Sequence, residues 1–129
     1  MHGIGQGTAI YIRDRRMGAH LFIVLTNPDP LSGRVVIVPI VTERPHTDKT
    51  VCLLPADHPF IQHRSNVDYG SARYAFASAL SAALVAGEAY LEANVDAAVL
   101  KRVRIGLLTS SHTINDIAAF ARAAFTDEG

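Results

Sequence analysis

The sequence lacks several features that would place it in common classes of protein. Its 129 residues include one cysteine and no tryptophan, and twelve basic residues balance twelve acidic ones. The single cysteine, Cys52, cannot form an internal disulfide, which favours a reducing compartment such as the cytoplasm. Zero net charge means that no overall positive field attracts nucleic acid. The longest apolar run, around residues 76–87, is shorter than a membrane span and is broken by serines.

A targeting segment is also missing from the sequence. The first residues, MHGIGQG, have neither the basic nor the apolar part of a secretory signal peptide. Together with the missing membrane span, this predicts a soluble cytoplasmic protein with no membrane partner. The length and the 49% hydrophobic composition predict a single globular domain over residues 1–129.

What the chain does contain is a series of short strand-like runs. TAIYI, HLFIVLT, RVVIVPIV and VCLL are separated by turns or polar loops, and residues 67–76 and 87–93 are read as further strands. The third run is apolar at nearly every position, which indicates that both of its faces are covered. Pro39 within it cannot donate to a ladder, so we expect an edge or a bulge there.

Two helix-like stretches follow the strands. Apolar residues recur every four positions in a helix predicted over 95–108, for which Asn94 is the expected N-cap. A second apolar stripe predicts a helix over 114–125. We therefore predict an α+β fold, in which a small antiparallel β-barrel over about residues 8–77 is followed by a helical part over about 78–125.

The order and the residues of these runs resemble the PemK/MazF (CcdB-like) toxin family. The matching pieces are TAIYI, a charged loop, HLFIVLT, a turn, VVIVPI and NVDAAVLKRVRIGLL, which cover most of residues 8–109. The resemblance implies an SH3-like barrel, a homodimer, and an endoribonuclease that cuts single-stranded messenger RNA without a metal or another cofactor. It also implies an antitoxin protein that holds the enzyme inactive. The alternative is a non-catalytic CcdB-like module that binds a protein partner or nucleic acid.

The family motif has an arginine at the start of the second strand and a threonine directly after the PI of the third. In this sequence His20 lies near the arginine position, Val41 takes the threonine position, and Thr42 follows one residue later. Because neighbouring residues of a strand point to opposite faces, Thr42 can fill the threonine's role only if a bulge shifts it.

RNA cleavage through the 2′-hydroxyl needs a base, an acid, and a cation that stabilises the pentacoordinate phosphorane. Histidine titrates near neutrality and arginine matches phosphate oxygens, so both suit these tasks. The predicted catalytic residues are His20, Thr42, His63 and Arg64. Simpler interpretations remain open. His20 can be a strand-end histidine bonded to the backbone. The segment DHPFIQHRS can be a turn in which Asp57 accepts backbone N–H groups and Phe60 plugs the barrel.

Basic residues near these positions are the expected contacts for nucleic acid. The predicted binding residues are Arg13, Arg15, Arg16, Arg44 and Lys49. The loop RDRRMGA is either a phosphate clamp or a solvated loop, and the loop around His46 either binds phosphate or is ordinary exposed chain. Tyr11, Tyr69 and Tyr74 can stack on bases or pack in the sheet. The histidine spacing matches no standard zinc motif, so no metal is predicted.

Overall fold

The computed structural model describes residues 3–14 and 18–128, and this part of the chain forms seven β-strands and three α-helices. The strands are β1 (Ala9–Asp14), β2 (Gly18–Val24), β3 (Arg34–Thr42), β4 (Cys52–Leu53), β5 (Ser65–Val67), β6 (Arg73–Phe76) and β7 (Ala89–Glu92). The helices are α1 (Ala77–Ala86), α2 (Ala97–Thr109) and α3 (Asn115–Glu128). The strand predicted over 67–76 is therefore divided by a turn into β5 and β6.

All strand pairs of the described residues are antiparallel, which confirms the predicted α+β class with an antiparallel sheet. The strand order is β4–β5–β3–β2–β1–β7, and β6 also pairs with β3. β7 follows α1 in the chain yet pairs with β1, so the sheet continues past residue 77. Within the described ranges no pairing joins β4 or β6 to β7, and closure of the sheet into a barrel stays a prediction.

β3 lies at the centre of the sheet, and both of its faces are buried, as predicted. Val36 and Val38 belong to the larger core, which also contains residues of α2 and α3. Val35 and Ile37 belong to a smaller core, which contains Leu80 of α1. Full burial of each such side chain stabilises the fold by about 1.5–3 kcal/mol. This two-sided burial is the reason for the unbroken apolar sequence of β3.

The expectation that Pro39 lies at an edge or a bulge is wrong. It lies within β3, opposite Phe22 of β2. Its carbonyl accepts a hydrogen bond from the Asp68 backbone N–H at 3.0 Å, on the side where β5 ends and β6 has not yet begun. A residue's N–H and C=O point to the same side of an antiparallel ladder. The missing N–H of Pro39 therefore faces a turn, and no ladder hydrogen bond is lost.

The N-cap of α2 is Asp96, two residues later than the predicted Asn94. Asp96 Oδ1 accepts a hydrogen bond from the Val99 N–H at 2.9 Å, which satisfies one of the free amide groups at the helix start. The predicted apolar stripe is confirmed, because Val99, Val103 and Leu107 are buried. No helix of the described residues is long and apolar enough to cross a membrane.

Candidate functional site

A groove of about 560 Å³ opens where β2 begins and β3 ends. The two strands run antiparallel, so these termini meet at one edge of the sheet. The groove is lined by three of the four residues predicted to be catalytic, which are His20, Thr42 and His63. The loop over 59–63 forms the other wall, and its Phe60 ring contacts Tyr11 with the ring centroids 5.2 Å apart.

His20 and Thr42 both border the groove, but the alternation of the strands assigns their side chains to opposite faces. Thr42 shares a face with Ile40 and the larger core, whereas His20 shares a face with Phe22 and the smaller core. The ladder at the end of β3 is regular, with Thr42 directly opposite Ser65. The bulge that would move Thr42 into the position of the family's threonine is not present in β3.

The β2–β3 ladder ends at Leu21–Ile40, and His20 and Val41 are the residues that follow this last pair on the two strands. In the resemblance inferred from the sequence, His20 lies near the family's arginine position and Val41 takes its threonine position. This chain has an imidazole and an isopropyl group at these places instead of a guanidinium and a hydroxyl group.

Of the basic residues predicted to form a loop after the first strand, Arg13 lies in the described part of the chain, where it is a residue of β1. Arg13 is exposed and lies opposite Ala19, which borders the groove. Ala19 and Leu21 are two residues apart in β2, so their side chains lie on the same face of the sheet. Arg13 pairs with Ala19 and therefore lies on that face, which is also the face of Thr42. Two strand spacings, about 10 Å, separate Arg13 from β3. Arg15 and Arg16 lie outside the described residues.

A second hollow of about 450 Å³ adjoins the groove at Thr42. It is lined by Thr42, Glu43, Arg44, His63 and Arg64. Two arginines and a histidine therefore border the same space as the threonine, as the sequence predicts for residues that bind phosphate. Arg64 is also ion-paired, because its Nε donates to Glu43 Oε2 at 2.9 Å.

Glu43 is a site residue that the sequence reasoning missed. Its Oε1 accepts from Asn66 Nδ2 at 3.1 Å, and this hydrogen bond, together with the neighbouring Arg64, holds the pKa of Glu43 below its ordinary value. The carboxylate therefore stays ionised and holds Arg64 at the rim of the hollow. The only sequence signal was an acidic residue between Thr42 and Arg44 in a segment otherwise read as basic.

Lys49, predicted to bind nucleic acid, has its ammonium group in hydrogen bonds with its own loop. Nζ donates to the carbonyl oxygen of Thr47 at 2.9 Å and to the Thr47 hydroxyl at 3.0 Å. The loop is closed further by a hydrogen bond from Thr47 Oγ1 to the Arg44 carbonyl at 2.8 Å. In this structure Lys49 therefore stabilises the loop that carries Arg44 and His46, and a role in RNA binding stays a prediction.

The segment DHPF forms a turn with structural contacts, in line with the simpler of its two interpretations. Asp57 Oδ2 accepts from the Leu54 N–H at 2.8 Å. His58 is buried, with Nε2 2.6 Å from the Ala93 carbonyl oxygen and Nδ1 accepting from the Phe60 N–H at 3.0 Å. Both ring nitrogens are thereby used, which fixes the neutral tautomer with its proton on Nε2. Phe60 is partly exposed and lines the groove, so it does not plug the core.

Two of the three tyrosines proposed for base stacking have packing roles in this structure. The Tyr69 side chain is fully buried, and its hydroxyl donates to the Val103 carbonyl at 2.8 Å. The Tyr74 hydroxyl donates to Asp116 Oδ2 at 2.8 Å and so joins β6 to α3. Tyr11 contacts Phe60 beside the groove and stays a candidate for stacking.

The groove and the adjoining hollow together offer the groups that phosphodiester cleavage requires. Imidazoles of His20 and His63 can exchange protons, and the guanidinium groups of Arg44 and Arg64 can bind phosphate oxygens. Within the described ranges no group of three or more His, Cys, Asp or Glu side chains is arranged to hold a metal ion.

Comparison with known proteins was informative only at the level of structure. No family model matches the sequence, and no curated protein matches it. One similar solved structure is an endoribonuclease in complex with its cognate antitoxin from a mycobacterial species, with 20% identity, a TM-score of 0.55, and coverage of 82% of this chain and 92% of that chain. Another is MazE–MazF (form II) from Deinococcus radiodurans, with 21% identity, a TM-score of 0.57, and coverage of 84% and 95%.

These structural matches show the class of fold to which the chain belongs. At about one-fifth identity a likeness of this kind establishes the fold, and function must be argued from the site. The two matches cover 92% and 95% of the solved chains and more than four-fifths of this chain. The family resemblance inferred from the sequence is therefore confirmed at the level of fold: the chain has the fold of the MazF-type toxin structures.

Proposed function

We propose that this protein is a toxin-like endoribonuclease that cleaves single-stranded RNA and is held inactive by an antitoxin protein. The observation that carries the proposal is the structural likeness to an endoribonuclease solved with its antitoxin, which covers 82% of this chain. The groove supports it, because His20, Thr42 and His63 border one space and Arg44 and Arg64 lie beside it. The protein would act in the cytoplasm, where messenger RNA is its substrate.

In the proposed reaction the chain's own side chains move the protons. His20 removes the proton of a ribose 2′-hydroxyl, and the oxygen attacks the adjacent phosphorus. His63 protonates the departing 5′-oxygen, which leaves a 2′,3′-cyclic phosphate and a free 5′-hydroxyl. Arg64 stabilises the negative charge of the phosphorane. Because Thr42 lies on the opposite face from His20, its hydroxyl would contact the RNA strand next to the scissile phosphate rather than the phosphorane itself. No metal or other cofactor takes part.

The basic residues around the groove would bind the rest of the RNA strand. Arg44 borders the hollow next to Thr42, and Arg13 approaches the groove from β1 on the same face. Arg15, Arg16 and Lys49 complete the proposed binding set. Each phosphate contact releases counterions, so binding should weaken as salt rises.

The assembly proposed with this function is a homodimer of single-domain chains, each with an SH3-like barrel. The support for a dimer is exposed apolar surface: Leu31 is 99% exposed, Val85 87% and Phe76 55%. β3 adds nothing to this surface, because it is buried within the chain itself. The support for a barrel is β3, which holds β5 at one end and β6 at the other.

The test of the proposed function is cleavage of mixed-sequence single-stranded RNA by the purified protein, free of antitoxin and in excess EDTA. We expect cleavage by the wild type and a loss of about 10²-fold in rate for His63→Ala and for His20→Ala. Arg122→Ala, which removes an exposed cation of α3, serves as the control and should leave the rate unchanged. Wild-type protein that leaves RNA intact would overturn the assignment.

The second candidate function is a non-catalytic interaction module, and one observation favours it. His20 lies near the family's arginine position and Val41 takes its threonine position, and both residues directly follow the last pair of the β2–β3 ladder. If the wild type binds antitoxin or RNA but does not cleave, the double variant His20→Arg, Val41→Thr should be assayed beside it. Cleavage gained by the double variant would identify the chain as a catalytically silent member of the fold.

A further inference from the structure

A third hollow, of about 300 Å³, shares Val41 and Thr42 with the groove. Its lining includes Thr42, Arg44 and His46 from β3 and the following loop, Asp68 and Gly70 from the turn between β5 and β6, and His112 from the loop between α2 and α3. His112 is the only histidine outside the first half of the sequence, and the proposed reaction does not use it.

The loop that carries His112 is held in place by hydrogen bonds. Ser110 Oγ donates to Asp48 Oδ2 at 2.6 Å, and the His112 backbone N–H donates to Ser110 Oγ at 3.1 Å. Burial acts to raise the pKa of Asp48, but hydrogen bonds from Ser110 and Thr50 outweigh it and hold the pKa below its ordinary value. An ionised Asp48 thereby anchors the loop beside the hollow.

Gly70 lies on the wall of the hollow beside His112. A Cβ on Gly70 would lie 3.6 Å from His112 Cβ, which is ordinary contact distance. The neighbouring Asp68 is half-buried, and its Oδ2 accepts from Ser71 Oγ at 2.7 Å. This bond fixes the direction of the carboxylate at the rim. The hollow is therefore lined by two histidines, a glycine and an oriented acceptor.

We propose that this hollow binds one unpaired base of the RNA strand and that Asp68 selects guanine. The inference rests on the proposed function and names a specificity determinant for it. Guanine presents two adjacent N–H donors on its pairing edge, which match the two oxygens of a carboxylate, whereas uracil, cytosine and adenine do not present that pair. His112 supplies a ring on which the base stacks, and Arg44 binds the adjoining phosphate.

The position of the hollow sets where the selected base lies. Thr42 borders both the groove and this hollow, so a strand whose scissile phosphate lies in the groove passes Thr42 and places a neighbouring base in the hollow. The preference should therefore appear as guanine at one fixed offset from the cleaved bond.

The experiment maps cleavage sites in a random single-stranded RNA pool for the wild type, Asp68→Asn and His112→Ala. Asp127→Asn, in an exposed position of α3, is the matched control. We expect the wild type to prefer guanine at one offset by about 10-fold or more, and Asp68→Asn to lose this preference. His112→Ala should raise KM by about 10-fold with little change in kcat. Thermal unfolding checks that the variants fold.

A defined oligonucleotide sharpens the test by replacing the selected guanine with inosine, which lacks the exocyclic amino group. The wild type should cleave it about 10-fold more slowly, and Asp68→Asn should not distinguish the two. Cleavage without a guanine preference, or a preference unchanged in Asp68→Asn, would overturn the inference and leave the proposed function standing. If RNA is bound but not cleaved, the same oligonucleotides compared by fluorescence anisotropy decide the inference separately. Absence of both binding and cleavage would reject both.

Discussion

Gly106 shows how a single residue fits two elements together. It lies in the interior of α2, where glycine is less favourable than alanine by about 1 kcal/mol. A Cβ at this position would lie 2.5 Å from Val51 Cγ2 and closer still to the hydroxyl oxygen of Tyr69. The absence of a side chain lets the buried Tyr69 ring reach the Val103 carbonyl. At this position the close packing of α2 against Tyr69 and Val51 outweighs the lower helix propensity of glycine.

Replacement of this glycine should therefore destabilise the protein even though alanine is the better helix former. We expect Gly106→Ala to lower the free energy of unfolding by about 2 kcal/mol, because the Tyr69 ring must move and its hydrogen bond weakens. Urea unfolding measures the change. Gly3→Ala is the control, because a Cβ at Gly3 meets nothing within 4 Å. Equal or higher stability of Gly106→Ala would contradict the packing described.

Asp48 makes the stability of the protein depend on pH. Its folded-state pKa lies below the ordinary value of 3.8, so the unfolded state takes up the proton first as the pH falls. The stabilisation is complete above that value and is lost as the pH falls through the lower folded-state pKa. Asparagine has no titratable side chain, so in Asp48→Asn residue 48 adds no pH dependence to the free energy of unfolding. We expect the stability difference between wild type and variant to be largest near about pH 6 and to shrink below about pH 4. A difference that stays constant in urea unfolding over this range would refute the assignment.

At the scale of elements, α3 shows what the sequence can and cannot predict. Its apolar stripe predicted a helix, because a 3.6-residue period is a local property, and Ile117 and Ala121 are buried as that stripe requires. Its anchors are not local. Arg104 Nη2 pairs with Glu128 Oε1 at 3.0 Å, and Glu128 Oε2 accepts from the Asn27 N–H at 2.9 Å. Nothing in the pattern of residues around position 128 indicates partners so distant in the chain.

Loss of one partner of the ion pair at the end of α3 should destabilise the protein, because both side chains are largely buried, at 13% and 12% exposure. We expect Glu128→Ala to cost about 3 kcal/mol, since it leaves the Arg104 charge with little solvent. Asp127→Ala changes the adjacent, exposed carboxylate and should cost much less. Chemical unfolding of the three proteins gives the comparison. Similar stability of both variants would show that the pair contributes little.

The whole molecule brings together residues that no local pattern relates. The start of β2 and the end of β3 meet because the two strands are antiparallel, and the groove lies there. The sequence indicated that Thr42 needs a bulge to take the position of the family's threonine, and only the strand register shows that the bulge is absent. The approach of His112 to the turn at Gly70 depends on how α2 packs over the sheet. Because such packing is set by long-range contacts, that hollow could not be predicted.

The proposed homodimer is a property of the whole molecule and can be tested by charge placed on its exposed apolar surface. Val85, near the end of α1, is 87% exposed, so Val85→Asp should leave the fold intact while burying an unpaired charge in any interface there. We expect the wild type to sediment as a dimer at micromolar concentration, through an isologous interface of at least ~1,000 Å², and Val85→Asp as a monomer.

Ile105→Asp is the matched control, because Ile105 is also exposed, at 56%, but lies on α2. A charge on α2 should leave the dimer unchanged if the interface forms around α1. A wild type that sediments only as a monomer would reject the dimer. Dissociation by Ile105→Asp with Val85→Asp still dimeric would instead move the interface to α2, the helix that carries Arg104.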